Sequence, residues 1–262
     1  MCKMYNAEIL TIGNELLNGR TVNTNATHIA SKLTLLGFTV RRITTVGDNL
    51  KDIHDAVKEI LSRNPMLLVT SGGLGPTYDD MTVEGVANAL NLKIELNKEA
   101  YSEILEKYRS RGLQLTEERL KMAMLPVGAI AIRNEVGIAP GVLISLPGTD
   151  ILLTPGVPRE MESILEKYLK EYLRFKPDIY YYEEFFTVKG VMESELAPFI
   201  KRLVKETNIY IKTHPKGHET LSPSLEIQVS ANGKTKDEAV YKVKSAIEEI
   251  KNKVKSMGGV VV

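Results

Sequence analysis

Apolar positions switch between two periods along the first two-thirds of the chain. Residues 8–13 and 38–46 carry strand-like runs, and residues 66–70 form an unbroken apolar stretch that enters Ser71-Gly-Gly-Leu-Gly75. Between them, Ile29, Leu33 and Leu36 within residues 23–36, and Ile53, Val57, Ile60 and Leu61 within residues 50–61, recur at helical spacing. Gly37 supplies the stop of the first helix. An unbroken apolar strand suits burial on both faces, the mark of a parallel sheet covered by helices. Further strands are predicted at 141–146 and 150–153, and a helix from Pro158, with proline at its first position, to about residue 175. Residues 92–136 are less regular, with one helix expected at 98–109. This alternation predicts an α/β fold, a doubly wound three-layer sandwich with a mostly parallel sheet.

Lys176-Pro177-Asp178 interrupts the pattern and divides a first domain, 1–176, from a second, 177–262. In the second, residues 180–188 are β-like, 193–206 helical, 209–213 and 225–230 β-like, and 237–255 a long charged helix. Ala239, Val243, Ile247, Ile250 and Val254 form the inner stripe of that last helix. The order β-α-β-β-α predicts a small α+β domain of the split-βαβ kind, also similar in element order to KH-type folds.

Composition narrows the function. At 262 residues the chain can bury roughly 73% of its extended surface, so no staple is needed. Lys+Arg 34 against Asp+Glu 33 leaves a formal charge of +1, which argues against a nucleic-acid or acidic-membrane binder. The single cysteine, Cys2, excludes a disulfide framework and a cysteine-based zinc site. No apolar run approaches a membrane span and the first residues carry no signal-type segment, so a cytoplasmic location is expected.

The chemistry concentrates at strand ends. Thr70 to Asp80 joins a buried strand to a helix starting near Thr82 through three glycines and two aspartates. Glycines let a backbone approach a ligand and turn its N–H groups inward, and a helix N-terminus adds positive charge, so the loop suits a phosphate. Asp79 and Asp80 would repel a bare phosphate, and a bridging Mg²⁺-type cation resolves the conflict. The competing reading is a glycine turn with aspartate helix caps. Gly13-Asn14-Glu15 and Val46-Gly47-Asp48 bring further carboxylates to the same predicted edge, and Thr154-Pro-Gly-Val-Pro158 ends a late strand before a helix. Ligands of open α/β sheets bind outside the carboxyl ends of the strands.

These segments carry a resemblance. Residues 12–25, Val46-Gly-Asp48, residues 71–82, Ile138-Ala-Pro-Gly141 and Pro155-Gly-Val-Pro-Arg-Glu-Met161 resemble the amino-terminal domain of the CinA family, which is similar to the molybdopterin-binding proteins MogA, MoaB and MoeA. The family's Gly-Thr-Glu is Gly13-Asn14-Glu15 here. The tail, with Lys212-Thr-His-Pro-Lys216, is more loosely similar to the CinA middle domain, and the chain has no room for the family's carboxy-terminal deamidase domain, so that activity is not expected. The resemblance implies a divalent-metal-dependent pyrophosphatase acting on ADP-ribose or FAD. Its alternative is binding or transfer of molybdopterin or adenylylated molybdopterin. It implies that Glu15, Asp48 and Asp80 are catalytic residues and ligands of one or two cations (Mg²⁺, Mn²⁺ or Co²⁺). It implies substrate contacts from Gly13, Asn23 and Asn25, from Ser71, Gly72, Gly73, Leu74, Gly75 and Thr77, and from Asn134, Pro140, Gly141, Gly156, Pro158 and Glu160. The expected partner is a small nucleotide, and the expected assembly a homodimer.

Other features are read as structural. His214 and His218 flank Pro215 and Gly217, which favours an exposed turn over a helical metal pair. His28 and His54 stand alone, and Cys2 has no partner. Tyr180-Tyr-Tyr182 lacks the basic stripe of a nucleic-acid platform, and the tail lacks a Gly-X-X-Gly loop, so RNA binding is not expected.

Overall fold

A computed structural model of the protein describes residues 5–216 and 222–262, and Cys2 and His218 lie outside them. The chain forms two compact units, one from Phe38 to Lys176 with the residues up to Thr34, the other from Pro177 to Val262 with Leu35–Gly37.

The first unit runs β1 (Asn6–Ile12), α1 (Asn14–Leu17), α2 (Thr24–Leu35), β2 (Thr39–Val46), α3 (Leu50–Ser62), β3 (Leu67–Ser71) and α4 (Thr82–Leu90). It continues through β4 (Ile94–Leu96), α5 (Lys98–Ser110), α6 (Glu117–Leu120), β5 (Met124–Pro126), β6 (Ile130–Ile132), β7 (Gly141–Leu146), β8 (Thr149–Thr154) and α7 (Pro158–Lys167). The sheet order is β2-β1-β3-β8-β7-β6. The β2/β1, β1/β3 and β3/β8 pairs are parallel, whereas β7 is antiparallel to both β8 and β6. β3 and β8 are buried at every residue, as an unbroken apolar centre requires. Along β1, Leu10 and Ile12 pack with α3 and α5 on one face, while Ala7 and Ile9 pack with α2 and α7 on the other. Glu8, only 2% exposed, would be an isolated buried charge; Arg63 at the end of α3 meets it through Nε to Oε1 at 2.8 Å and a second guanidinium nitrogen to Oε2 at 2.6 Å.

Three expectations need correction. Leu36 lies beyond the end of α2 and is 40% exposed, because the interior stripe closes at Leu33. The helix from Pro158 ends at Lys167 and gives way to a π-type turn, Tyr168–Tyr172, whose fully buried Tyr168 donates its hydroxyl to Asp150 at 3.0 Å. Residues 92–136 hold three short strands besides α5: β4 pairs with β5, and β6 extends the main sheet.

The second unit comprises β9 (Tyr180–Lys189), α8 (Glu193–Thr207), β10 (Tyr210–Pro215), β11 (Ser224–Gly233), α9 (Lys236–Ser256) and β12 (Val260–Val261). Its antiparallel sheet has the order β10-β11-β9-β12, so the last, two-residue strand completes a βαββαβ unit. The α9 stripe from Ala239 to Val254 is buried against the sheet. His214 sits in β10, opposite Glu226 of β11, and not in an exposed turn. Among the described residues, no helix is long and apolar enough to cross a membrane.

Candidate functional site

Four parallel strands end on one side of the first unit, and the segments that leave β1, β2, β3 and β8 border a cleft of about 620 Å³. Its floor is the glycine loop after β3. Gly72 has φ +111°, and a Cβ there would lie 2.1 Å from the Ile12 carbonyl oxygen, so no side chain fits where β1 and β3 converge. The Gly72 amide donates to Thr154 O at 3.0 Å. Thr82 at the start of α4 ties the loop down, its hydroxyl donating to Gly72 O at 2.8 Å and its amide to Gly73 O at 3.1 Å. The amides of Gly73, Leu74 and Gly75, which line the cleft, have no acceptor among the described residues.

The carboxylates are positioned by turns and not by helix capping. Residue Met81 occupies the cap position of α4, and no side chain caps that helix, so the aspartate-cap reading fails. Asp80 instead accepts from the Thr77 amide at 2.9 Å and from its hydroxyl at 2.6 Å. Lys121 steadies the same turn by donating to Thr77 O at 2.7 Å. Thr77's hydroxyl also lies 2.5 Å from Asp79, and this contact holds the Asp79 carboxyl below its ordinary value, helped by its own backbone amide and by Lys121. Asp48 accepts from the Asn14 amide at 2.8 Å and returns its own amide to the Asn14 carbonyl oxygen of the side chain at 3.4 Å. Asn14 thereby joins the ends of β1 and β2 without a hydroxyl. The Glu15 carboxylate folds back over Gly13, where a Cβ would come within 2.5 Å of it.

Most residues expected at the site meet here. Gly13, Glu15, Asp48, the 72–75 loop, Thr77, Asp80, Gly156 and Glu160 line the cleft. Asn23, Asn25, Ser71 and Pro158 line a smaller adjoining cavity of about 100 Å³. Asn25 joins Ser71 and Gly156 O through its amide nitrogen at 2.8 Å each. Asn134 is wholly buried and acts at one remove: its side chain donates to Glu160 at 2.7 Å and accepts from the Val136 and Gly137 amides. Glu103 accepts from the Asn134 amide at 2.9 Å and pairs with Lys107 beneath it. Pro140 faces a different cavity, of about 160 Å³. Gly141 lines none of these three cavities, and a Cβ there would strike Ile164 at 2.3 Å.

Sequence reasoning missed most of the far wall, formed by Tyr108, Arg111, Met122, Val136 and Gly137, with Ile138 and Ala139 of the Ile138–Gly141 segment completing it. Arg111 stands in no motif, following α5 at its C-terminal cap. Among the described residues, five carboxylates (Glu15, Asp48, Asp79, Asp80 and Glu160) and a single cation, Arg111, line the cleft. Glu15, Asp48 and Asp80 nevertheless do not converge into one ligand set, and among the described residues no three acidic, histidine or cysteine side chains do.

Residues 8–174 match the family model described as a probable molybdopterin binding domain. The chain belongs to this molybdopterin-binding family. The family match spans the sheet from Glu8 of β1 onward and every segment that borders the cleft. A protein of Metallosphaera sedula is 60% identical over 256 residues, 98% of this chain and 97% of its own length. One of Sulfurisphaera tokodaii is 50% identical over 260 residues, 99% of each. Among solved structures, the protein CinA of Thermoplasma acidophilum, of unknown function, is similar with a TM-score of 0.61 at 44% identity, covering 65% of this chain and 99% of its own. The first unit is thus a CinA-like domain of the molybdopterin-binding family.

Proposed function

We propose that the cleft hydrolyses the pyrophosphate bond of a nucleotide such as ADP-ribose or FAD with the help of a divalent cation. The observation that carries this reading is the pairing of three unclaimed amides, at Gly73, Leu74 and Gly75, with a wall of five carboxylates and one arginine. Amides without acceptors suit phosphate oxygens. A carboxylate-rich wall repels a bare phosphate, and a cation shared between the two removes the conflict. Mg²⁺ is commonly held this way, by one or two carboxylates together with phosphate oxygens, so the lack of a ready-made triad fits the donor set.

In this reading the glycine-loop amides and Arg111 bind and orient the phosphates, and one or two of Asp48, Asp80 and Glu15, together with phosphate oxygens, would hold Mg²⁺, Mn²⁺ or Co²⁺ beside them. When bound, such a cation polarises the phosphorus centre and lowers the pKa of a water. Glu15, which lines the cleft, accepts the proton of the attacking water when it is not itself on the cation. Water adds across the anhydride, and ADP-ribose yields AMP and ribose 5-phosphate. Purified protein with each of the three cations is expected to release AMP from ADP-ribose or FAD; no AMP from any combination overturns the reading.

The family match supports a second reading, in which the same cleft binds molybdopterin or its adenylylated form. Recombinant protein that carries a fluorescent pterin through purification supports binding, and one that carries adenine nucleotide supports hydrolysis. We also propose a homodimer, because β2 is an unpaired sheet edge; light scattering at the 29.2 kDa monomer mass overturns it.

A further inference from the structure

Helices cover only one side of the sheet in the second unit. Val188, Leu225, Ile227, Val229 and Ile211 pack with α8 and α9, so strand alternation sends the intervening side chains to the opposite face. On that face stand Tyr181 and Phe185 of β9 and Tyr210 of β10. Phe185 is 49% exposed and Tyr210 56%. Large rings left in water on a sheet face mark an interaction surface. Register fixes what lies between them. Phe185 is opposite Gln228, and Gln228 is opposite Lys212, so a ring, an amide and an ammonium group share one row across β9, β11 and β10. Tyr210 lies in the next row, with Ser230 and Glu183. From strand rise and spacing, Phe185 is about 14 Å from Tyr181 and about 12 Å from Tyr210. The rings are too far apart to stack on one another, and each can take a separate planar partner.

The charge of the face depends on which groups are already paired. Glu183 accepts from the Tyr181 hydroxyl and from the Gln228 amide nitrogen, at 2.9 Å each. Glu226 pairs with Lys216 at 3.2 Å. Lys189 and Lys212 are exposed, so the charge that meets an incoming group is positive. The lysines that the Tyr180–Tyr182 run lacks in sequence thus reach its face through strand pairing.

We propose that this face binds single-stranded RNA. Unpaired bases stack on exposed aromatic rings of an open antiparallel sheet, and any base offers such a ring a flat partner. Lys189 and Lys212 meet the phosphates. Gln228, whose nitrogen is held by Glu183, offers its oxygen to the amino group of a base. The exposed Asn232, opposite Tyr181, both donates and accepts, as contact with a ribose 2′-hydroxyl requires. A protein partner is less well matched, because its interface would centre on contiguous apolar surface, and here amide, hydroxyl and ammonium groups separate the rings. The chain carries a formal charge of only +1, so stacking supplies most of the affinity and the dependence on salt is shallow. None of this draws on the chemistry of the cleft.

Fluorescence anisotropy of labelled decamers of uridylate, adenylate and cytidylate, with matched DNA decamers, measures binding to the full chain. The wild type is expected to bind at least one RNA decamer with a Kd of about 10⁻⁶–10⁻⁴ M, and at least fivefold more tightly than its DNA counterpart. Phe185→Ala is expected to weaken that complex at least fivefold. Tyr210→Ala, on another strand, repeats the test if Phe185→Ala fails to fold. Two phosphate contacts give a slope of log affinity against log salt of about −1.4, and Lys212→Gln should bring it to about −0.7. Tyr241→Ala removes a 74% exposed ring from α9, which covers the other face, and should bind within twofold of wild type. The proposal is overturned if no RNA decamer binds at 200 μM protein, if folded ring variants bind normally, or if DNA binds as tightly as RNA. It also fails if Phe185→Ala lowers the molecular mass of a protein that takes up no RNA, which would make the face an interface between copies.

Discussion

Asp80 and Thr77 show how a residue's role turns on its partner. Had Asp80 capped α4, asparagine would replace it almost without cost. It clasps the Thr77 amide and hydroxyl instead, so Asp80→Asn should cost about 1 kcal/mol from the weakened charge-assisted bond. Under the hydrolase reading, AMP release should fall at least 100-fold, with Asp79→Asn retaining more activity; equal rates for wild type and Asp80→Asn remove Asp80 from the cation site. Asp79 gives a prediction in pH. Its carboxyl is held below the ordinary value of 3.8, chiefly by the Thr77 hydroxyl. A depressed carboxylate contributes stability in full above its unfolded value, and loses it as pH falls through the lower folded value. Thr77→Val should therefore raise the Asp79 pKa toward 3.8, seen in a carboxyl-carbon NMR titration. The stability gap between wild type and variant from this source should be present at neutral pH and close in strong acid.

At the scale of elements, the junction of β1, β3 and α4 is the least forgiving part of the sheet. At Gly72 the positive φ and the Ile12 carbonyl both exclude a side chain. Gly72→Ala should cost more than about 2 kcal/mol, measured by urea denaturation. Gly156→Ala, whose Cβ would lie 3.5 Å from the Gly72 Cα without a left-handed backbone, should stay near wild-type stability. These elements were legible because each carries a clear pattern: β3 opens on three consecutive apolar residues, and α3 and α9 repeat their stripes over several turns. β4, β5 and β6 were not, since three residues are too few to show alternation. β12, two residues long, was missed for the same reason. The cleft followed a similar rule. Residues at the ends of legible strands (Glu15, Asp48, Asp80) line one cleft without forming one ligand set, whereas Arg111 and Tyr108 arrive from α5, whose approach depends on packing that no local pattern encodes.

For the whole molecule, every described residue lining the cleft belongs to the first unit. A polypeptide ending at Lys176 should thus keep AMP release within about threefold of the full chain, and a loss beyond tenfold would assign the second unit a part in the reaction. The charge of the molecule is distributed unevenly: the chain carries +1 overall, yet one arginine answers five carboxylates in the cleft. Under the hydrolase reading the cleft would therefore select a salt and not a bare anion. Orthophosphate stripped of its counterion should find the door shut, with no heat of binding in the presence of EDTA, and the same titration with Mg²⁺ restored should show uptake. Occupancy would then follow the supply of metal, and abundant free phosphate would not crowd out a scarce nucleotide that arrives already paired with its cation.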